Sequence, residues 1–206
     1  RRREKEVHEG PLRSKLAIRI NPDDAEAHYK LSLAYRKSGK WKEAIESYKQ
    51  ALRINPDADA HYNLGDAYFD SGKYEEAIES FKQTIKLDPD LAAAHMFLGV
   101  AYHKLGKHKK AIEAYKQAIK INPDYAEAHS NLGVAYGDLG KHEEEIESFK
   151  QAIKLDPDFE QAHFCLGYYY DKLGKYEEAI ESFKQAIRIN PDYAEAHYSL
   201  DVAYSK

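Results

Sequence analysis

The sequence predicts an all-α solenoid of stacked antiparallel helix pairs, and three observations carry that prediction. An Asn-Pro-Asp or Asp-Pro-Asp turn occurs six times, with prolines at 22, 56, 89, 123, 157 and 191 and spacings of 34, 33, 34, 34 and 34 residues. A fixed period of this size means one two-element unit stacked on copies of itself. Between turns the apolar residues fall at helical spacing: His129, Leu132, Gly133 and Tyr136 stand at i, i+3, i+4 and i+7. Each unit is then interrupted by a glycine at 39, 72, 106, 140 or 174, suited to the left-handed position just past a helix end.

The elements follow in order. Segment 1–10 opens Arg1-Arg2-Arg3-Glu4-Lys5-Glu6 without an apolar stretch of the kind a signal peptide needs, and is expected to be disordered or foreign to the natural chain. Residues 11–22 are a partial second helix: Ser14–Ile20 match Tyr48–Ile54, and Pro11 suits a first helical position. Five complete units span 25–193, at 25–57, 58–91, 92–125, 126–159 and 160–193, and 194–206 is a lone first helix.

Within a unit, helix A carries glycine or serine at 32, 65, 99, 133 and 167, which lets helix B approach closely. Helix B presents a small residue in return, at Ala44, Ala77, Ala111 and Ala179, and buries a stripe such as Ile146, Phe149 and Ile153. It ends at the proline, which cannot continue a helix. The Asp after each proline is expected to cap the next helix A, as in Asp23-x-x-Glu26, Asp124-x-x-Glu127, Asp158-x-x-Gln161 and Asp192-x-x-Glu195, with Asp90 capping alone. The one-residue deletion falls between Pro56 and His61, in a turn, where it costs least. Glu145 replaces the small alanine, and its head is expected to bend out to solvent or to pair with Lys141.

In the second unit Leu64-Gly65, Tyr68, Ala77, Phe81 and Pro89 stand in the order and spacing of the tetratricopeptide repeat (TPR) family, which this chain resembles over nearly its whole length. Thr84 replaces the family's second alanine, and histidine replaces its aromatic near the start of helix A in every copy. The resemblance implies a right-handed superhelix whose concave side is lined by helix A. It also implies a partner groove at Tyr29, Tyr62, Asn63, Phe69, Met96, Phe97, Asn131, Phe164, Tyr168 and Tyr198. Of these, Tyr62, Met96, Phe97, Phe164 and Tyr168 are expected to be partly exposed, and Asn63 and Asn131 sit where family members hold a ligand's backbone. The family's carboxylate clamp needs lysines where this chain has Tyr29, Tyr62, Met96 and Ser130, so binding of chaperone tails is not expected.

Composition and motifs narrow the function classes. A net charge of −4 gives no basic footprint for nucleic acid, and no run of about 18 apolar residues is present for a bilayer. The single cysteine, Cys165, excludes an internal disulfide. The periodic histidines, His28, His61, His95, His129, His163 and His197, lie one per repeat and read as packed structural residues rather than metal ligands. No nucleophile elbow or phosphate loop is present, so no catalytic residue, metal or cofactor is expected. The chain begins with Arg, and its one methionine is Met96, which suggests part of a longer protein, expected in the cytoplasm. The function expected is a scaffold that binds a peptide or helical segment of another protein in an aromatic-rich concave groove. Two alternatives remain open at this point: the recognition arm of an enzyme resembling the O-linked N-acetylglucosamine transferases, and a structural or engineered array. The letter-for-letter identity of Gly72–Gln83 and Gly174–Gln185 favours the latter, while the deletion, Glu145 and Cys165 argue for a natural origin, and the two half-units at the ends suggest weak head-to-tail self-association.

Overall fold

The computed structural model describes residues 2–206, with side chains from residue 11 onward. The described elements are all helices, and they divide into two compact units, Arg1–Leu105 and Gly106–Lys206. The first holds α1 (Arg2–Ile20), α2 (Ala25–Lys37), α3 (Trp41–Ile54), α4 (Ala58–Asp70), α5 (Tyr74–Leu87) and α6 (Ala92–Lys104). The second holds α7 (His108–Ile121), α8 (Ala126–Gly137), α9 (His142–Leu155), α10 (Glu160–Lys172), α11 (Tyr176–Ile189) and α12 (Ala194–Tyr204). Inside each unit every helix lies against the next in the chain, as a solenoid of antiparallel pairs requires. None of the described helices is long and apolar enough to cross a membrane.

The chain turns from helix A to helix B in one repeated way. Gly39 and Gly72 adopt φ of +68° and +75°, a left-handed conformation that costs glycine nothing. The turn closes with Lys40 N–H on the Tyr35 carbonyl at 2.9 Å and Gly39 N–H on the Arg36 carbonyl at 3.0 Å, the paired bonds of a Schellman motif.

The turn into helix A departs from expectation. Asp23, Asp90, Asp124, Asp158 and Asp192 do not cap. At five of the six prolines the residue before it accepts from the Asp after it: Asp124 N–H donates to Asn122 Oδ1 at 3.2 Å, and Asp192 N–H to Asn190 Oδ1 at 3.2 Å. This Asx turn shifts the helix start, so the N-caps are Leu91, Tyr125, Phe159 and Tyr193, none of which makes a side-chain cap bond. Asp57, after Pro56, does cap as expected, accepting from Asp59 N–H at 3.2 Å, and a further cap occurs one residue late at Asp24, which accepts from Ala27 N–H at 2.9 Å.

The periodic histidines belong to the same turn. His28, His95, His129, His163 and His197 each set Nε2 at 2.9–3.1 Å from the carbonyl oxygen of the proline six residues earlier. Each ring thus ties the turn to the first turn of its helix. His61 is the exception, because the deletion shortens its link to Pro56. Its Nδ1 is buried without a hydrogen-bond partner, and burial holds the imidazole pKa below its usual value.

The expected helix start at Pro11 also fails: α1 continues back through it to Arg2. Proline at that point removes one hydrogen bond, and the residue before it is Gly10, which has no Cβ to clash with the ring. The charge pattern proposed for segment 1–10 lies, in its side chains, outside the described residues.

In α4–α5, α8–α9 and α10–α11 the core is a ring against a glycine backbone. A Cβ on Gly65 would fall 2.6 Å from the Phe81 ring, and one on Gly167 2.8 Å from Phe183. Both rings are buried. Helix-B hydroxyls beside them are satisfied locally, with Ser80 donating to the Glu76 carbonyl at 3.0 Å and Thr84 to the Ser80 carbonyl at 3.2 Å. We expect Gly65→Ala to force Phe81 from its slot and to lower stability by about 1–3 kcal/mol, the usual cost of overpacking. Urea denaturation checks this, and a variant as stable as the natural chain would show that the slot has slack.

Candidate functional site

In the first unit the helix-A face is closed by its own contacts. Tyr29 stacks edge-on to Tyr48 with ring centroids 5.9 Å apart, and Tyr62 lies 5.9 Å from Phe81 and 5.8 Å from Phe97. Tyr29, Tyr62 and Phe97 are half-buried. Phe69, also half-buried, packs on Tyr74 at 5.2 Å. The Asn63 amide is fully engaged: Nδ2 donates to Tyr29 Oη at 3.1 Å and to the Asp59 carbonyl at 2.8 Å, while Oδ1 accepts from Arg36 Nη1 at 3.1 Å. Arg36 also donates to Asp66 Oδ2 at 3.0 Å and lies 3.8 Å from Asp70. Burial pushes the Asp66 carboxyl up to about 6, with Arg36 pulling the other way.

Met96 corrects an expectation. It is fully buried and presents nothing to a partner. Its position is shared by Tyr29, Tyr62, Ser130, Phe164 and Tyr198 through the repeat. In the aromatic members that position leans on the helix-B ring, at 5.9 Å for both Tyr62 on Phe81 and Phe164 on Phe183. Met96 and Ser130 are covered completely, whereas longer rings reach past the cover.

The second unit is more open. Tyr168 on α10 is 48% exposed and Tyr198 on α12 is 73% exposed. Phe164 and Asn131 are half-buried. Phe164 sits at the centre of a ring cluster, 6.5 Å from Tyr168, 5.9 Å from Phe183 and 5.0 Å from Tyr193.

Beside Tyr168 a cleft of about 310 Å³ opens between α8, α9 and α10, with Gly137, Glu145, Cys165, Tyr169 and Lys172 in its lining. Glu145 does not turn outward, nor does it pair with Lys141, which lies 3.5 Å from Glu144 instead. Its carboxylate is buried over Gly137, where a Cβ would fall 2.5 Å from Oε1. The bare backbone of Gly137 makes the space that the carboxylate occupies. Glu145 Oε2 stands 3.6 Å from His142 Nδ1 and has no hydrogen-bond partner. Burial raises the Glu145 pKa, opposed by His142.

Tyr169 completes the cleft. It takes a position held by Ala34, Ala67, Ala101, Ala135 and Ala203 in the other copies. Its ring lies 5.2 Å from His142, and its buried hydroxyl has no hydrogen-bond partner. Burial also holds the Cys165 thiol pKa up, so the sulfur is protonated at neutral pH and suits packing rather than nucleophilic chemistry. Sequence reasoning noted Glu145 and missed Gly137 and Tyr169. Tyr169 was visible as a departure from alanine in the aligned copies, whereas the position of Gly137 differs in every copy and gave no such signal.

These hairpins and their spacing define a tandem helical repeat protein. A family profile described as TPR repeat matches residues 33–70, 65–106, 99–140, 135–174 and 169–206, and one described as tetratricopeptide repeat matches 15–46. The chain belongs to the tetratricopeptide repeat family. Among solved structures it is similar to MamA, at 32% identity and a TM-score of 0.73 over 80% of this chain and 97% of that one. The MamA of Desulfovibrio magneticus RS-1 is 25% identical, with a TM-score of 0.75 over 82% and 97% of the two chains. YrrB, described as a TPR protein with an unusual peptide-binding site, shares the fold at 24% identity and a TM-score of 0.71, over 90% and 96%. No curated protein matches the chain.

The Asp66 network makes a pH prediction. Its folded value of about 6 lies above the ordinary 3.8, so the folded unit holds the proton more tightly than the unfolded chain. The ionised carboxyl therefore opposes folding above about pH 6, and that opposition is relieved as pH falls towards 3.8. Relative to the natural chain, Asp66→Asn is expected to lose this gain on acidification, read from urea midpoints at neutral and mildly acidic pH. Parallel pH profiles for the two proteins would remove Asp66 from the response.

Proposed function

We propose that this chain is a protein-interaction module that holds a peptide or helical segment of another protein along its helix-A faces, chiefly in the second unit. The observation that carries the reading is the exposed Tyr168 ring at the mouth of the α8–α9–α10 cleft. Exposed aromatic side chains beside a concavity are typical anchors for a partner. Tyr198 extends this surface on α12, and Phe164 supports it from below. In the first unit Tyr62 and Phe97 offer a smaller aromatic patch. Asn63 is turned inward to Tyr29, Arg36 and Asp59. That weighs against the reading as an enzyme's recognition arm, which needs open asparagine amides.

The test is display panning of a peptide library against the natural chain and against the Tyr168→Ala, Tyr198→Ala double variant. Both residues are exposed, so the variant is expected to fold. Peptides retained by the natural chain and lost by the variant support the reading. Equal retention would move the site off this surface and overturn it.

A second reading, weak head-to-tail self-association, draws on two exposed apolar stripes. Leu12, Leu16 and Ile20 on α1 are 66%, 57% and 79% exposed, and Tyr204 on α12 is 59% exposed. Sedimentation velocity across a concentration series is expected to show a rising mass that Leu16→Glu abolishes. A constant monomer mass throughout would rule the reading out.

A further inference from the structure

We propose that the cleft between α8, α9 and α10 is a socket for a lysine or arginine side chain, so that the partner segment carries a basic residue buried there. The partner in this statement rests on the peptide-binding reading above; the socket is a property of the second unit alone.

The lining asks for a donor. Glu145 and Tyr169 both line the cleft, and Glu145 Oε2 and the Tyr169 hydroxyl are buried without a hydrogen bond, the carboxylate having only His142 Nδ1 at 3.6 Å. An apolar occupant would leave both unpaired, and an anionic one would meet the Glu145 carboxylate. A guanidinium brings five N–H donors and an ammonium three, and charge-assisted bonds to a carboxylate are the stronger kind.

The repeat itself shows what fits. Gly137 occupies the position of Arg36 in the first unit, and Tyr168 that of Asp66. There the Arg36 guanidinium reaches across from α2 to α4 and fills the space with bonds to Asn63 and Asp66. In the second unit the corresponding side chain is absent, the space is open, and a new carboxylate has entered from α9. The cleft is missing a cation that its counterpart supplies from within.

The charges around the socket agree. Asp138, His142, Glu145 and Lys172 all line the cleft; Asp138 also lies 3.3 Å from His108, which leaves Glu145 as the carboxylate for a guest. Lys172 is exposed, and its ammonium rests 4.7 Å from the centroid of the Tyr168 ring, so the ring already attracts a cation. Its flexible stem can swing out to solvent as a buried guest enters.

Two measurements test the socket. In heteronuclear NMR titrations with n-butylguanidinium, the Gly137, Cys165 and Tyr169 amides are expected to shift saturably, while butyrate leaves them in place. The shifts should vanish in Glu145→Gln. Among panned peptides, replacing the basic residue by norleucine should weaken binding by about ten- to a hundredfold in the natural chain, but by less than about threefold in Glu145→Gln. Tyr169→Phe, which keeps the ring against His142, should give an intermediate loss. If butylguanidinium shifts nothing, the socket is overturned even though peptides bind. Norleucine losses of equal size in the natural chain and Glu145→Gln would also overturn it. If butylguanidinium binds and no peptide is retained, the socket stands and the peptide-binding reading falls.

Discussion

The structure depends on how closely a helix-A backbone lies against an aromatic ring of the following helix. In α4–α5, α8–α9 and α10–α11 the ring of Phe81, Phe149 or Phe183 takes the room that a Cβ on Gly65, Gly133 or Gly167 would need. That contact sets the spacing of each hairpin, and it also builds the face beside it. A side chain three residues before the glycine rests on the same ring, so Tyr62 and Phe164 both sit 5.9 Å from theirs. An aromatic surface is therefore a by-product of hairpin packing. Reach decides which members of it a partner can touch, and Met96 and Ser130 fall short.

The second constraint is polar and local. In five of the six turns an Asx bond across the proline and a histidine on the proline carbonyl fix the path from helix B to helix A, and only the first of these adds a side-chain cap, from Asp24. Removing one residue breaks this arrangement at a single place. In that turn Asp57 becomes the cap, and His61 loses its acceptor. The histidines that tempt a metal reading are thus accounted for by five repetitions of one hydrogen bond.

What the sequence made legible was whatever depends on one residue type and its near neighbours. The period, the helix pairs and the left-handed glycines could be read because each follows from a local backbone requirement. The caps were misplaced because Asn122 and its equivalents hold the N–H of the expected cap residue in a local turn and the helix begins one residue later, which spacing alone does not reveal. Met96 is fully enclosed, which its residue type and helical position do not by themselves indicate. Glu145 was misread for a similar reason. Its cost as a buried unpaired carboxylate, on the order of several kcal/mol, looked prohibitive while Gly137 was not considered as its complement.

The two units show that departures from a repeat pattern do not all mean the same thing. In the first, Tyr29, Arg36, Asn63, Asp66 and Asp70 are polar or charged intruders on the helix-A face, yet they satisfy one another. That network closes the surface and gives a partner little to exchange for the bonds it would break. In the second, the same repeat positions hold Gly137, Cys165, Tyr168 and Lys172, and the polar atoms of Glu145 and Tyr169 remain unmatched. Stability alone would favour alanine at both of the latter positions, as nearly every other copy has it. A fold that keeps two unsatisfied buried groups at the edge of an exposed aromatic ring retains a cost that a bound cation would remove. We therefore place the proposed recognition at the irregular fourth and fifth repeats, where the Glu145 and Tyr169 atoms lie.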